Sequence, residues 1–292
     1  MKMKDFVVYT VLVGGYGDIH QPEYVDERFD YILFTTDTIP DPGVWQVRSF
    51  PAVPEGDNRR ISRYPKTHPV SLLGGYKASL YQDANIIIRD RWVYDRCVEL
   101  FRSDADIAGV QLLATGRDCI YEHSFDMFMM KAEHDYNALR QMQALRQRGF
   151  PDHFGLNENN VIWRRHCPLV EKVDDEWWWW ITNYSYRDQF SYMYCLWNNG
   201  IARTLFLPVG EDTNNSVHFT RINHNALQSV SHRKWIERDA DEKWRCFCRR
   251  LPGNRDASLK EWVELSKRSD PDQALQQWGQ TAFKQYLKRI LK

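Results

Sequence analysis

The segment Tyr81-Gln82-Asp83-Ala84-Asn85 puts a carboxylate and an amide two residues apart, inside an apolar stretch that resumes at Ile86-Ile87-Ile88. In an extended strand that spacing turns both side chains to one face. Oxygen donors of this kind suit Mg2+ or Mn2+ bridging a diphosphate. Asp83 and Asn85 are therefore candidate metal ligands. His218, in the polar run Asn214-Asn215-Ser216-Val217-His218-Phe219, is a candidate third ligand. Each of these also has a plain structural alternative, a turn at a strand end for Asp-x-Asn and a core histidine for His218. Placement in an apolar strand is what raises Asp83 above that alternative.

A basic run, Arg59, Arg60, Arg63, Lys66 and His68, precedes this segment. Arg60, Arg63 and Lys66 recur every third residue, a spacing that lines one side of a helix. Guanidinium groups there pair bidentately with phosphates; a solvated helix face is the competing explanation. Further on, Asp188-Gln189 follows Asn183-Tyr184-Ser185-Tyr186-Arg187 at the start of a helix. An Asp there complements the helix dipole, or the pair orients a sugar and stabilises an oxocarbenium-like transition state. The run Gly155-Leu156-Asn157-Glu158-Asn159-Asn160 is dense in amide and carboxylate groups suited to sugar hydroxyls, with Glu158 the candidate acid or base. An Asn-rich turn is the simpler account. Four successive tryptophans, residues 177–180, cannot all face one core, so at least one is expected to line a groove.

The elements needed to position these residues are legible as hydrophobic runs. Residues 6–13 and 30–36 read as continuous apolar strands of the buried, parallel kind. Residues 45–50 form a third strand, and residues 79–88 a strand with a polar break at Asp83-Ala84-Asn85. A helix is predicted over 59–74, interrupted by Pro65 and Pro69. Helices are also predicted over 90–103, 132–148 and 186–199, with a strand at 107–113. Strands and helices alternating in this way make an α/β fold. Such sheets bind ligands beyond the carboxyl ends of their strands, which is where Asp83 falls. Residues 258–267 and 271–292 read as helices of a C-terminal appendage, Asp270 and Pro271 suiting an N-cap and first helical turn. The basic end of the last helix, Lys284, Lys288, Arg289 and Lys292, complements its dipole or touches a membrane surface.

Composition excludes several classes. Lys+Arg and Asp+Glu both number 39, so the basic excess of a general nucleic-acid binder is missing. No apolar run is long enough to span a bilayer. The six cysteines are scattered without a C-x-x-C pair, which points away from zinc or a disulfide framework and towards a reducing cytoplasm.

Taken in order, several of these stretches resemble one family. Val8-Tyr9-Thr10, Gly14-Gly15-Tyr16, Phe34-Thr35-Thr36-Asp37, Arg60-x-x-Arg63-x-x-Lys66 and Tyr81-x-Asp83-Ala84-Asn85-Ile86 resemble the glycosyltransferase-like family catalogued as domain of unknown function 616. Arg117-Asp118-Cys119-Ile120-Tyr121-Glu122 and Arg187-Asp188-Gln189-Phe190-Ser191 extend the resemblance, which spans residues 6–219. That family is similar to the GT-A superfamily. The resemblance implies a GT-A-like, Rossmann-like mixed sheet flanked by helices. It implies that Gly14, Tyr16 and Asp37 border a nucleoside, and that Arg60, Arg63 and Lys66 approach a diphosphate. Asp83 and Asn85 take the D-x-D position, with Asn85 a departure from the acidic pattern that weakens a metal site. Asp188-Gln189 matches a D-Q pair near the donor sugar of retaining enzymes, and His218 the late metal-binding histidine.

The expectation is thus a GT-A-like domain over residues 1–235 followed by a helical appendage over 236–292. Its activity would be that of a hexosyltransferase-type glycosyltransferase (EC 2.4), retaining by preference, aided by Mn2+ or Mg2+. The donor is a nucleotide sugar and the acceptor a glycan or lipid-linked glycan, as in bacterial surface polysaccharide synthesis. The location would be cytoplasmic, contact of the C-terminal helix with the inner membrane face being the lesser of the two readings of its basic end. A hydrolase using Glu158 or Asp188, and a non-catalytic carbohydrate- or nucleotide-binding module, are the alternatives.

Overall fold

The computed structural model describes residues 4–53, 57–114, 116–129, 135–222, 259–260, 262–264 and 266–267. The helix expected over 271–292, its basic end, His224, Cys246 and Cys248 lie outside the described residues. In chain order the elements are β1 (Phe6–Leu12), β2 (Phe29–Thr35), β3 (Gln46–Arg48), α1 (Asn58–Thr67), α2 (Pro69–Leu72), β4 (Ala78–Gln82), β5 (Ile86–Ile88), α3 (Trp92–Arg102), β6 (Ile107–Gln111), α4 (Ile120–Met129), α5 (Asp135–Gln147), β7 (Asn157–Arg165), α6 (Pro168–Asn183), α7 (Gln189–Asn198), β8 (Thr204–Leu205) and β9 (Phe219–Arg221). They divide into two compact units, Met1–Gly116 with Gly155–Asn225, and Arg117–Phe154 with Ala226–Lys292.

The first unit is built on a seven-stranded mixed sheet in the order β3-β2-β1-β4-β7-β6-β8. Strands β3, β2, β1 and β4 are mutually parallel, whereas β7 runs antiparallel to both β4 and β6. This is the α/β class expected from the buried apolar runs, in the Rossmann-like mixed-sheet form the resemblance implied. Six of the seven β1 residues are buried, as a central strand covered on both faces requires. Val8, Leu33, Leu80 and Trp163 point to one face, where Val93, Tyr94, Cys97 and Leu100 of α3 cover them. Tyr9, Tyr81 and Arg164 alternate to the other face and meet α1 and α6: Tyr9 Oη donates to the Lys66 carbonyl (3.3 Å) and Arg164 pairs with Asp174 (3.1 Å).

The chain leaves β1 towards β2 and β3 on one side, then returns to place β4 on the other side of β1. The crevice at the carboxyl ends of β1 and β4 is therefore a topological switch point, the place where open α/β sheets take ligands.

One element departs from the expectation in a way that matters for the site. Residues 79–88 are not one strand. β4 ends at Gln82, and β5 pairs antiparallel with β9 in a separate two-stranded sheet. Asp83-Ala84-Asn85 is the turn between them, closed by the Ile86 amide donating to the Asp83 carbonyl (2.9 Å). The period-two argument for a shared face of Asp83 and Asn85 does not apply across a turn.

The second unit is described at α4, α5 and a short stretch around Trp262. Tyr121 Oη donates to the Phe150 carbonyl (2.8 Å), Arg146 lies over the Tyr121 ring, and Trp262 Nε1 donates to Ser124 Oγ (3.0 Å). Residues 117–154, assigned to the 1–235 domain in the sequence reading, thus group with the described C-terminal residues. Among the described residues no helix is long and apolar enough to cross a membrane.

Candidate functional site

At the end of β1 the chain turns through Gly14 and Gly15, both left-handed (φ 71° and 65°). The turn aims both backbone amides at the Asp37 carboxylate, at 3.0 and 2.8 Å. Asp37 follows β2, so its carboxylate ties the loops after the two parallel strands together. A Cβ at Gly14 would come within 2.0 Å of Asn58 Nδ2, so the exposed Asn58 side chain would have to move aside. Gly14, Asp37 and the first residue of α1 are thus in contact at the switch point, with Tyr16 exposed beside them. The expected grouping of Gly14, Tyr16 and Asp37 at one edge is what the fold produces. Both Asp37 oxygens, however, already accept backbone amides.

Helix α1 starts at its Asp57 N-cap, whose side chain accepts from the Arg60 amide (2.9 Å). Its basic residues then part company. Three residues turn an α-helix by roughly 300°, so each successive member of the Arg60, Arg63, Lys66 series is rotated by roughly 60° from the last. Arg60 points at the end of α6, donating to the carbonyls of Ile181 (3.2 Å) and Tyr184 (3.1 Å). It satisfies carbonyls that a helix end leaves open; this corrects its expected place beside a diphosphate. Arg63 and Lys66 turn towards the crevice.

Lys66 is the centre of the site. Its side chain is only 2% exposed, and Nζ donates to Asp188 Oδ2 and lies 3.7 Å from Asp83 Oδ1. The ammonium also sits 4.7 Å from the Tyr81 ring centroid and 5.9 Å from a Trp177 ring. A buried ammonium is costly unless paired, and here two carboxylates and two aromatic faces surround it. Tyr81 Oη donates to Asp83 Oδ1 (2.6 Å), and Trp177 Nε1 donates to the Asp188 carbonyl (2.8 Å), fixing both acids. Arg63 Nε approaches Asp188 Oδ2 at 3.4 Å, and its side chain is about a quarter exposed. Burial alone would raise the Asp188 carboxyl, but the charges of Arg63 and Lys66 outweigh it and hold it below its ordinary range. Burial, reinforced by Asp83, pushes the Tyr81 phenol well up, so it stays a hydrogen-bond donor.

The third part comes from β7. Because β7 runs antiparallel, its first residues lie at the carboxyl end of β4, and the Asp83 amide donates to the Asn160 carbonyl (2.8 Å). Between Gly109 and Gln111 of β6 the ladder is irregular: Gly109 pairs with Ile162 but Gln111 with Asn157. The surplus residues form a bulge with Asn159 left-handed (φ 60°). Glu158 is 8% exposed. It accepts from Asn160 (2.8 Å), Thr213 (3.0 Å) and Arg221 (2.8 Å), while Gln189 Nε2 donates to its carbonyl (3.1 Å). Asn159 is 1% exposed, and both its amide atoms lack a hydrogen-bond partner. The run expected as a loop is thus the start of a strand, and its polar density serves a bulge. Thr213 and Arg221, absent from the sequence reading, complete this group. Thr213 was foreshadowed by the polar run 212–216; Arg221 carried no local signal.

The expected metal ligands do not converge. Asn85 Nδ2 donates to the Ile222 carbonyl (2.9 Å), and the Ile222 amide returns a bond to Asn85 O (2.8 Å). His218 belongs to the far end of the same ladder, where its carbonyl accepts from the Arg89 amide (3.0 Å). Four residues, 85 to 89, separate these pairings, which is about 13 Å along a strand. His218 Nδ1 is bonded to Asp90 (2.8 Å) and its ring stacks on Trp92 at 4.1 Å. Among the described residues, no three His, Cys, Asp or Glu side chains converge as a metal site. The residues present do not fit a divalent ion held by Asp83, Asn85 and His218.

Of the tryptophan run, Trp177 and Trp180 are buried and Trp179 is 42% exposed. The 100° turn per residue divides them between faces of α6, as four adjacent rings must.

No family model matches the chain, nor does any curated protein sequence. Among solved structures, it is similar to the apo structure of WbbM, a bifunctional glycosyltransferase, at 12% identity and a TM-score of 0.45. The match covers 70% of this chain and 39% of that one, so the chain corresponds to well under half of its structural neighbour.

Proposed function

We propose that the first unit is a GT-A-like glycosyltransferase domain that takes a sugar from a nucleotide-sugar donor. One observation carries this reading. Gly14, Gly15, Arg63, Lys66, Asp83 and Asp188 come from four separate segments and lie at the carboxyl edge of β1 and β4, the switch point of the sheet. A nucleoside would lie at the glycine turn beside the exposed Tyr16, and Arg63, about a quarter exposed, would receive the diphosphate. The sequence resemblance to the domain of unknown function 616 family agrees with this assignment.

In the reaction, an acceptor hydroxyl oxygen forms a bond to the anomeric carbon as the bond from that carbon to the diphosphate oxygen breaks. The nucleoside diphosphate leaves with the bonding pair, and the hydroxyl proton passes to solvent or to a phosphate oxygen. The chain's own residues contribute charge and position. Arg63 offsets charge developing on the leaving group. Glu158, its carboxylate held by Asn160, Thr213 and Arg221, is the candidate acid whose negative charge would stabilise an oxocarbenium-like centre. Retention is the preferred stereochemical outcome, from the resemblance of Asp188-Gln189 to the D-Q pair of retaining enzymes. The acceptor class is a glycan or lipid-linked glycan, as in surface polysaccharide assembly at the cytoplasmic face of a bacterial membrane.

The test is a thermal-shift screen of nucleotide sugars, followed by donor turnover with an acceptor panel. At least one donor is expected to raise the unfolding midpoint and to be consumed. The reading fails if no nucleotide sugar binds, or if Asp83→Ala retains full turnover. A donor that binds but is never turned over identifies a binding module instead.

A further inference from the structure

Resting on this donor-site reading, we infer that the cation of the site is part of the chain. The Lys66 ammonium, lodged between Asp83 and Asp188 with Arg63 alongside, holds the place of a divalent ion, and nucleoside diphosphate binding is metal-independent.

The geometry carries this in three steps. First, Lys66 Nζ lies between two carboxylates from different elements, hydrogen-bonded to Asp188 and 3.7 Å from Asp83. That is where an ion would have to sit to use Asp83 and Asp188 as a pair. Second, the charges are already matched. Lys66 and Arg63 together carry two positive charges against the two acids, the balance one divalent ion would provide. Inserting an ion would place a double charge against an ammonium whose side chain is 2% exposed, which is repulsive in a low-dielectric site. Third, the remaining expected ligands stand apart: Asn85, its Nδ2 bonded to the Ile222 carbonyl, and His218, bonded to Asp90, lie at opposite ends of the β5–β9 ladder. Lys66 is also held in place rather than left to swing. Its side chain is 2% exposed and packs against the Tyr81 and Trp177 rings. Arg63 is the outward member of the pair. Among the described residues its Nε approaches Asp188 and its Nη1 reaches Ser62 (3.4 Å), and with about a quarter of the side chain exposed its planar fork is open to an incoming anion.

The experiment is isothermal titration of the full chain with UDP, GDP, ADP, CDP and dTDP, each in EDTA and again in MnCl2. Titration of Mn2+ alone, followed by the electron paramagnetic resonance of the free ion, runs in parallel. The expected result is at least one diphosphate with the same Kd in both buffers, and no Mn2+ uptake by the protein alone. Lys66→Met is expected to weaken that diphosphate about tenfold or more, without rescue by Mn2+. Should Lys66→Met fail to fold, the wild-type titrations in the two buffers still decide. Binding that requires Mn2+ overturns this inference and leaves the donor reading standing. No binding in either buffer overturns both.

Discussion

Arg60 and Arg63 show how three residues of spacing separate a structural cation from a functional one. Arg60 spends its donors on the Ile181 and Tyr184 carbonyls, whereas Arg63 faces Asp188 and solvent. Arg63→Gln is therefore expected to weaken nucleoside diphosphate binding about tenfold with little change in stability. Arg60→Gln should do the reverse, leaving Kd in place and costing about 1 kcal/mol in urea denaturation for each lost bond. Equal effects of the two on Kd would contradict the division. Gly14 is the other residue whose identity is forced. Its φ of 71° strains any residue with a Cβ, and a methyl there would also have to displace the Asn58 side chain, 2.0 Å away at Nδ2. Gly14→Ala is expected to destabilise the protein by about 1–3 kcal/mol and to lower diphosphate affinity, because the turn that presents the Gly15 amide must shift. A midpoint unchanged in denaturant would show that the turn relaxes freely.

At the scale of elements, β7 does most to assemble the site, through its direction and its bulge. Asn159 in the bulge is left-handed and buried, a conformation that glycine adopts without strain and a β-branched residue does not. Asn159→Gly is expected to leave the unfolding midpoint unchanged or raised, while Asn159→Val lowers stability by about 1–3 kcal/mol; calorimetry of the pair checks this. His166 closes the other end of the strand, its ring Nε2 sharing a hydrogen bond with Ser79 Oγ (2.9 Å). Burial, aided by the nearby Arg164 charge, lowers its pKa from 6.5 to about 4. The folded state therefore binds fewer protons than the unfolded chain between those values, and stability falls as pH drops through that window. Below it, the depressed Asp188 carboxyl adds a further loss as it protonates. Denaturant midpoints measured from pH 7 to 4 should decline in wild type and decline less in His166→Gln.

For the whole molecule, two compact units and a site confined to the first predict an uneven response to ligand. A saturating nucleoside diphosphate, at about a hundredfold its Kd, stabilises the state that binds it by about 2.7 kcal/mol. Amide exchange should slow at residues 12–16, 58–67 and 185–190, and remain unchanged at 117–129. Protection spread evenly over both units would place the site elsewhere.

The division between what was legible in the sequence and what was not follows from range. Buried strands 6–13 and 30–36 are readable because an apolar run reports burial on its own, and Asp83 is readable because its run ends in a carboxylate. The Gly14-Gly15 turn is a local signal, and so is the alternation that buries Trp177 and Trp180 but not Trp179. Lys66 and Asp188 are 122 residues apart, and no local pattern says that they meet or that their charges cancel. Nor does any reveal that β7 runs antiparallel, which alone brings Asn160, two residues from Glu158, to Asp83. The same holds for the turn after β4, which sends Asn85 to Ile222 and leaves His218 at the far end of a ladder. Composition and periodicity determined that a buried α/β sheet would carry acids and bases at its edge. Strand order, strand direction and helix rotation decided which of them face one another, because those depend on packing between segments distant in the chain.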